Sequence, residues 1–278
     1  MNKPLTVIAV ILFIQPILYC GCKEKNKART SQSSHAESSR ASDTESDRAE
    51  IEGLEEDIES MVKAATGPDG LPRKTDLKLQ SDRPAVNDMQ KLRNLMQSFM
   101  NDAVKDQNDY IKELEEVGTH TLLIPARVAK DRGFKESRSI LRKSKLAVSN
   151  AKTKNFRRLA DFPKRLNDYD FRSTSDKKML ESYKTGLKKA IPLGKEIWEL
   201  EMKTVEYMED LIDILEASRS YWEVDQGMFA FSRERDLKRF NAIMTKISKC
   251  TERQTELKKE SLKNATDKLQ NIKSKIPN

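Results

Sequence analysis

Side chains with the chemistry of a catalyst are few in this chain. It holds two histidines, His35 and His120, and three cysteines, Cys20, Cys22 and Cys250. A zinc-type site needs three or four Cys, His or carboxylate ligands at short spacing, and neither histidine has a cysteine or a second histidine near it. His120, in Gly118-Thr119-His120-Thr121, could serve as the base for a serine or cysteine nucleophile, but nothing in the spacing selects a partner for it. The chain has no G-x-S-x-G, no phosphate-binding glycine loop and no G-x-G-x-x-G. Carboxylate pairs such as Glu115-Glu116 and Glu209-Asp210 are expected on solvated helix faces in a chain with 44 acids, and do not by themselves make a glycosidase pair. The sequence therefore calls for no cofactor, no metal and no catalytic residue, and it predicts a protein that is not an enzyme.

The thiols carry the other chemistry. Cys250 falls in phase with Ile243 and Ile247 on a helical pattern, where a cysteine acts as a small buried apolar residue. Cys20 and Cys22 close an N-terminal leader. Lys3 gives that leader a weakly basic start, and an apolar run follows from Leu5 to Ile14, broken only by Thr6, then Ile17, Leu18 and Tyr19 after Pro16. The run is short of the roughly 20 residues of a permanent membrane span, and its length and flanks mark a cleaved export signal. The closing stretch Tyr19-Cys20-Gly21-Cys22 resembles the lipobox of bacterial lipoproteins, with Gly21 as the small residue before the modified cysteine. That family prefers Leu and then Ala or Ser where this chain has Tyr19 and Cys20. The resemblance implies a signal peptide over 1–21, a lipid such as palmitate on Cys22, with Cys20 as the alternative acceptor, and a membrane-anchored protein of the cell envelope, on the periplasmic or extracellular side. An ordinary secretory signal or an uncleaved anchor is the alternative reading of the leader.

Two further features could bind. From Arg127 to Arg165 there are 14 Lys and Arg against Asp131, Glu136 and Asp161, whereas Glu196 to Glu216 holds eight acids against Lys203. The basic stretch could present an anion-binding face through Arg127, Lys130, Arg132, Lys135, Arg138, Arg142, Lys143, Arg157 and Arg158. Its ligands would be phospholipid or cell-wall polymer, and nucleic acid is not expected as a partner of an exported protein. The alternative is that the basic and acidic helices lie side by side and neutralise each other. Tyr221, Trp222, Phe229, Phe231 and Phe240 gather five of the 17 aromatics within 20 residues. They could contact a sugar or a protein partner, or close one end of the core with their rings inward.

The elements that would position these residues are helical. Charged residues make up 35% of the chain and glycine and proline are scarce, which is the composition of long helices. The expected fold is all-α: an elongated up-and-down helical bundle or coiled coil with one small β-hairpin near 221–231. Residues 23–50 hold seven serines, balanced charges and no hydrophobe larger than alanine, so 22–50 is expected to be a disordered tether. A short helix and linker cover 51–83, and the bundle domain covers 84–278. Within it Met89, Leu92, Met96, Phe99, Ala103, Tyr110 and Val117 form a three-four seam, with Asp106 and Glu113 as polar interruptions. Helix breaks are expected at Pro163 and at Pro192-Leu193-Gly194, and a three-residue loop containing Gly227 is expected to join the hairpin strands. The function this supports is a non-catalytic binding, adaptor or structural module held on a membrane, partnered by a protein or an anionic polymer, or by further copies of itself. The alternative is a binder of anionic envelope ligands through 127–165.

Overall fold

The computed structural model describes residues 37–65, 73–167 and 174–273. They form an all-α bundle with a single two-stranded hairpin among the described residues. The helices are α1 (Glu37–Ala65), α2 (Asp88–Val117), a short α3 (Pro125–Lys130), α4 (Lys135–Asn167), α5 (Thr174–Ala217) and α6 (Glu234–Lys273). The strands are β1 (Trp222–Asp225) and β2 (Met228–Phe231), paired antiparallel. Each long helix packs on the next, α1 on α2, α2 on α4, α4 on α5, α5 on α6, and α6 returns to α1. The leader with Cys20 and Cys22, the tether up to residue 36 with His35, and the turn Gly67 to Gly70 lie outside the described residues.

The amphipathic faces bury two apolar clusters. One joins α2, α4, α5 and α6 around Trp198, whose ring stands edge-on to Tyr110 at 5.7 Å between centroids. The other joins α1, the first half of α2 and the end of α4, with Phe99 and Phe162 in ring contact at 4.5 Å. Asn87 caps α2 by accepting from the Gln90 N–H at 2.7 Å. Gly118 ends it at φ 83°, a left-handed conformation that favours glycine, and its N–H returns to the carbonyls of Leu114 and Glu115.

The linker over 73–83 is an extended strap that runs back along α2. Leu79 donates its N–H to Asn101 Oδ1 and accepts at its carbonyl from Asn101 Nδ2, both at 2.8 Å. Asn108 clamps Thr75 in the same two-handed way, at 3.1 and 2.8 Å. Asn94 Nδ2 reaches the Arg83 carbonyl at 2.6 Å. Three asparagines seven apart, at 94, 101 and 108, thus make one stripe on α2 that satisfies a backbone with no strand partner. The strap carries the chain back so that α1 and α2 lie parallel: Ser46 bonds Asn87, Asp57 meets Arg93 and Gln97, and the Ala65 carbonyl meets Gln107.

Several boundaries differ from the sequence expectation, each for a local reason. Helix α1 begins at Glu37, inside the 22–50 stretch read as a tether. Once Ile51 to Ala65 is anchored against α2, adding helical residues N-terminally is cheap, and Asn87 Nδ2 donates to Ser46 Oγ at 3.0 Å. Helix α4 runs through Pro163 to Asn167. A proline inside a helix costs about 3 kcal/mol, but Phe162 and Leu166 beside it are fully buried, and each such side chain contributes about 1.5–3 kcal/mol. Helix α5 likewise continues through Pro192. The hairpin loop has two residues, not three. Gln226 (φ 47°) and Gly227 (φ 77°) both take positive φ, the conformation whose twist matches paired strands.

Candidate functional site

The basic stretch is divided by its neighbours. Towards α5, Arg138 pairs with Asp213 at 2.5 Å and Glu216 at 2.6 Å, and Lys145 with Glu209 at 2.6 Å. Towards α2, Arg165 pairs with Asp102 at 3.1 Å, Lys154 with Asp106 at 2.7 Å and Asp109 at 3.1 Å, and Arg158 with Asp106. The acidic helix thus neutralises one flank of α4, as the sequence allows, and the aspartates of the α2 seam neutralise the other. Arg158 is buried beside Phe99. Arg127 is turned inward, donating to the carbonyls of Thr121 and Leu122 and to Ser137 Oγ. Of the nine residues of the expected anion face, Arg127, Arg138 and Arg158 are therefore committed to internal contacts. Lys130, Arg132, Lys135, Arg142, Lys143 and Arg157 are exposed and enter no ion pair among the described residues.

Asp131 organises the start of this helix. It accepts from the Ser137 N–H and Ser137 Oγ, each at 2.8 Å, and from the Glu136 N–H at 3.2 Å. Burial alone would raise its carboxyl, but those hydrogen bonds from Ser137 and Glu136, with Arg127 nearby, hold it below the usual carboxylate range.

A second polar group lies inside the bundle. Glu201 on α5 is fully buried and accepts from Tyr110 Oη at 2.7 Å and from Gln254 Nε2 at 2.9 Å. Burial raises the Tyr110 phenol well above its ordinary value, and the Glu201 charge adds to the effect. Burial also pushes the Lys258 ammonium down to about 8, with Glu201 opposing the shift. Carboxylate, phenol, amide and amine thus join α2, α5 and α6 in one core layer, and none of them lines the cleft described next. Cys250 is buried on α6, and burial raises its thiol, the state of an inert cysteine.

The open concavity lies where α2 ends and α6 begins. A cleft of about 610 Å³ is bounded by the turn after α2, by β2, and by α5 and α6. Its walls are Leu123 and Ile124 from the turn, Met208 from α5, Met228, Phe229 and Phe231 from β2, and Leu237, Phe240 and Met244 from α6. Polar groups are few: Thr119, held by Ser144 at 2.6 Å, and the exposed His120 and Asn241. The aromatic cluster serves both readings. Trp222 is buried, donates its indole N–H to the Leu215 carbonyl at 2.7 Å and meets Phe229 edge-on at 5.2 Å. Phe229 and Phe231 are half-buried, touch Phe240, and face the cleft. The hairpin therefore closes the core with one ring and lines an opening with two.

The cleft residues outside the aromatic cluster are not legible as a site, because Met208 and Leu237 fall on helical apolar faces and Ile124 lies in the interruption between helices. Among the described residues, no group of three or more His, Cys, Asp or Glu is placed to hold a metal ion, and no helix is long and apolar enough to cross a membrane. No family model, curated protein or solved structure matches the chain.

Proposed function

We propose that this chain is a lipid-anchored protein of the cell envelope that works by binding, as an adaptor or spacer, and not by catalysis. One observation carries the reading: the N-terminus of α1 stands at one end of the bundle, and the open cleft occupies the other. The N-terminus of α1 projects nine residues beyond Ser46, which sits beside the α2 cap at Asn87. At 1.5 Å per residue, that overhang plus the length of α2 separates Glu37 from the cleft by about 60 Å. A lipid on Cys22 would hold the near end against a membrane, and the bundle would carry the cleft outward. The lipobox-like leader supports the anchor, and the rigid parallel packing of α1 on α2 supports the spacer. Cell fractionation tests the reading. The native chain is expected in the membrane fraction and Cys22→Ala in the soluble fraction. Membrane retention of Cys22→Ala that is lost with Cys20→Ala would move the acceptor two residues, and soluble native chain would overturn the anchor.

A second reading follows from the charges left over on α4. Lys135, Arg142 and Arg157 recur at helical spacing on an outer face, beside Lys143, and could hold an anionic polymer or lipid headgroup. Such binding should fall steeply with added salt. Binding of anionic vesicles that is unchanged by Arg142→Glu with Lys143→Glu would dismiss it.

A further inference from the structure

We infer that a buried polar layer across the bundle is a joint, at which the unit made of α1, the strap, the first half of α2 and the end of α4 opens while the unit that carries the cleft stays folded. The inference concerns the bundle alone and stands apart from the membrane anchor.

The two apolar clusters do not merge. One lies around Trp198 and takes in the buried side chains of α5 and α6. The other joins Leu54, Ile58 and Met61 of α1 to Leu79 of the strap and to Phe99 and Phe162. Among the described residues, Phe156 alone packs against both.

Where the clusters meet, the long helices turn polar side chains inward. Gln107 on α2, Asn155 on α4, Glu201 on α5, and Gln254 and Lys258 on α6 are all buried. Their bonds place them at one level. Gln107 Nε2 donates to the Arg73 carbonyl at 2.9 Å and to the Ala65 carbonyl, where α1 ends, at 3.4 Å. Arg158 pairs with Asp106 from α4, and Asn155 Oδ1 accepts from the Trp198 indole N–H at 3.3 Å. Glu201 accepts from Tyr110 and Gln254. Asp106, Gln107 and Tyr110 span only about 6 Å of α2, so these contacts cross the bundle as one slab.

A break at this level exposes groups that water can serve. Hydrogen bonds within the layer are exchanged for bonds to water at small net cost, whereas a break through either cluster would expose hydrocarbon. Lys258 favours the break. It is 3% exposed, its ammonium makes no hydrogen bond among the described residues, and water entering the layer would supply one. The unit with α1 is also the more weakly held. Its helix buries one face, through Ile51, Leu54, Ile58 and Met61, and its strap is tied by three asparagines with no strand partner. The cleft unit encloses Trp198 between α2, α4, α5 and α6 and is closed by Trp222. Proteins open locally in contiguous cooperative units of this kind. The cleft therefore keeps its shape while the α1 end of the molecule opens.

Native-state hydrogen exchange of the full native chain, read peptide by peptide across a low-urea series, tests the joint. Peptides over 54–65, 92–104 and 159–166 are expected to share one opening and to exchange faster, by about tenfold or more, than peptides over 141–148 and 205–215. One common rate for all five overturns the proposal. Ile212→Val trims a buried side chain of the cleft unit without removing it, and should speed the last two peptides by about fivefold. The first three should keep their native rate, because the cleft unit is intact in the state from which they exchange. Acceleration of those three by Ile212→Val overturns the joint, because it makes the bundle one cooperative unit.

Discussion

Replacing Asn101 by alanine should detach the strap from α2 at its most buried point. Asn101 makes two hydrogen bonds to one residue, accepting from the Leu79 N–H and donating to the Leu79 carbonyl, both at 2.8 Å. Leu79 is buried in the apolar cluster that joins α1, the first half of α2 and the end of α4, so water cannot readily take over either bond. A hydrogen bond of this kind contributes about 0.5–1.5 kcal/mol net, so the pair predicts a loss of about 2 kcal/mol. For a domain of this size each kcal/mol shifts Tm by about 2–4 °C, giving a fall of about 4–8 °C. The local signature is sharper than the global one. The Leu79 amide has Asn101 as its acceptor, and a loss of about 2 kcal/mol should speed its hydrogen exchange roughly thirty-fold. Amides in the middle of α5 should change only by the global destabilisation. Asn150→Ala, at an exposed position on α4, should stay within about 0.5 kcal/mol of native. A Tm change below 1 °C in Asn101→Ala, or unaltered exchange at Leu79, would refute the view that the asparagine stripe holds the strap.

Three further outcomes test the polar interior. Tyr110→Phe leaves buried Glu201 without its phenol donor and should cost about 1–3 kcal/mol in urea unfolding; a neutral result would mean that Gln254 or water replaces the bond. With the Lys258 ammonium pushed down to about 8 in the folded chain, the unfolded chain binds more protons just above that pH, so stability should rise as pH goes from about 8 to about 10. A stability that falls steadily from pH 8 to pH 10 would contradict this. Asp131→Ala removes the acceptor for the Glu136 and Ser137 N–H groups at the start of α4 and should cost about 1–2 kcal/mol, as lost helix caps do. Because the Asp131 carboxyl is held below its ordinary value, its contribution is present above the unfolded-state pKa and fades as pH falls through the folded one. The stability difference between native and Asp131→Ala should therefore shrink in acid; a constant difference would count against the assignment.

The helical architecture is legible in the sequence because long apolar stripes report their own period. Leu92, Met96, Phe99, Ala103 and Tyr110 are buried as their three-four spacing predicts. The hairpin is legible too: Trp222 pairs with Phe231 and Val224 with Phe229, so all four lie on one face. Its loop was harder to read, since glutamine is an unusual residue at positive φ and conceals a two-residue turn. Pro163 and Pro192 suggest breaks that burial overrides. Asp106 looks like an interruption of the α2 seam when taken alone, and becomes a partner only once Lys154 and Arg158 of α4 lie opposite. The asparagines at 94, 101 and 108 carry a visible signal in their seven-residue spacing, but what they hold is backbone, which no side-chain pattern announces. The cleft is only partly legible: Phe229, Phe231 and Phe240 stand out as a cluster, but the rest of its lining comes from elements far apart in the chain, whose residues taken singly do not mark a site.

The most direct measurement of the central claim is the mass of the mature N-terminal peptide from the membrane fraction of cells making the native chain. The account predicts a peptide beginning at Cys22 and carrying a diacylglyceryl group on its thiol. An unmodified peptide beginning at Met1, or at any residue other than Cys22 or Cys20, would contradict it.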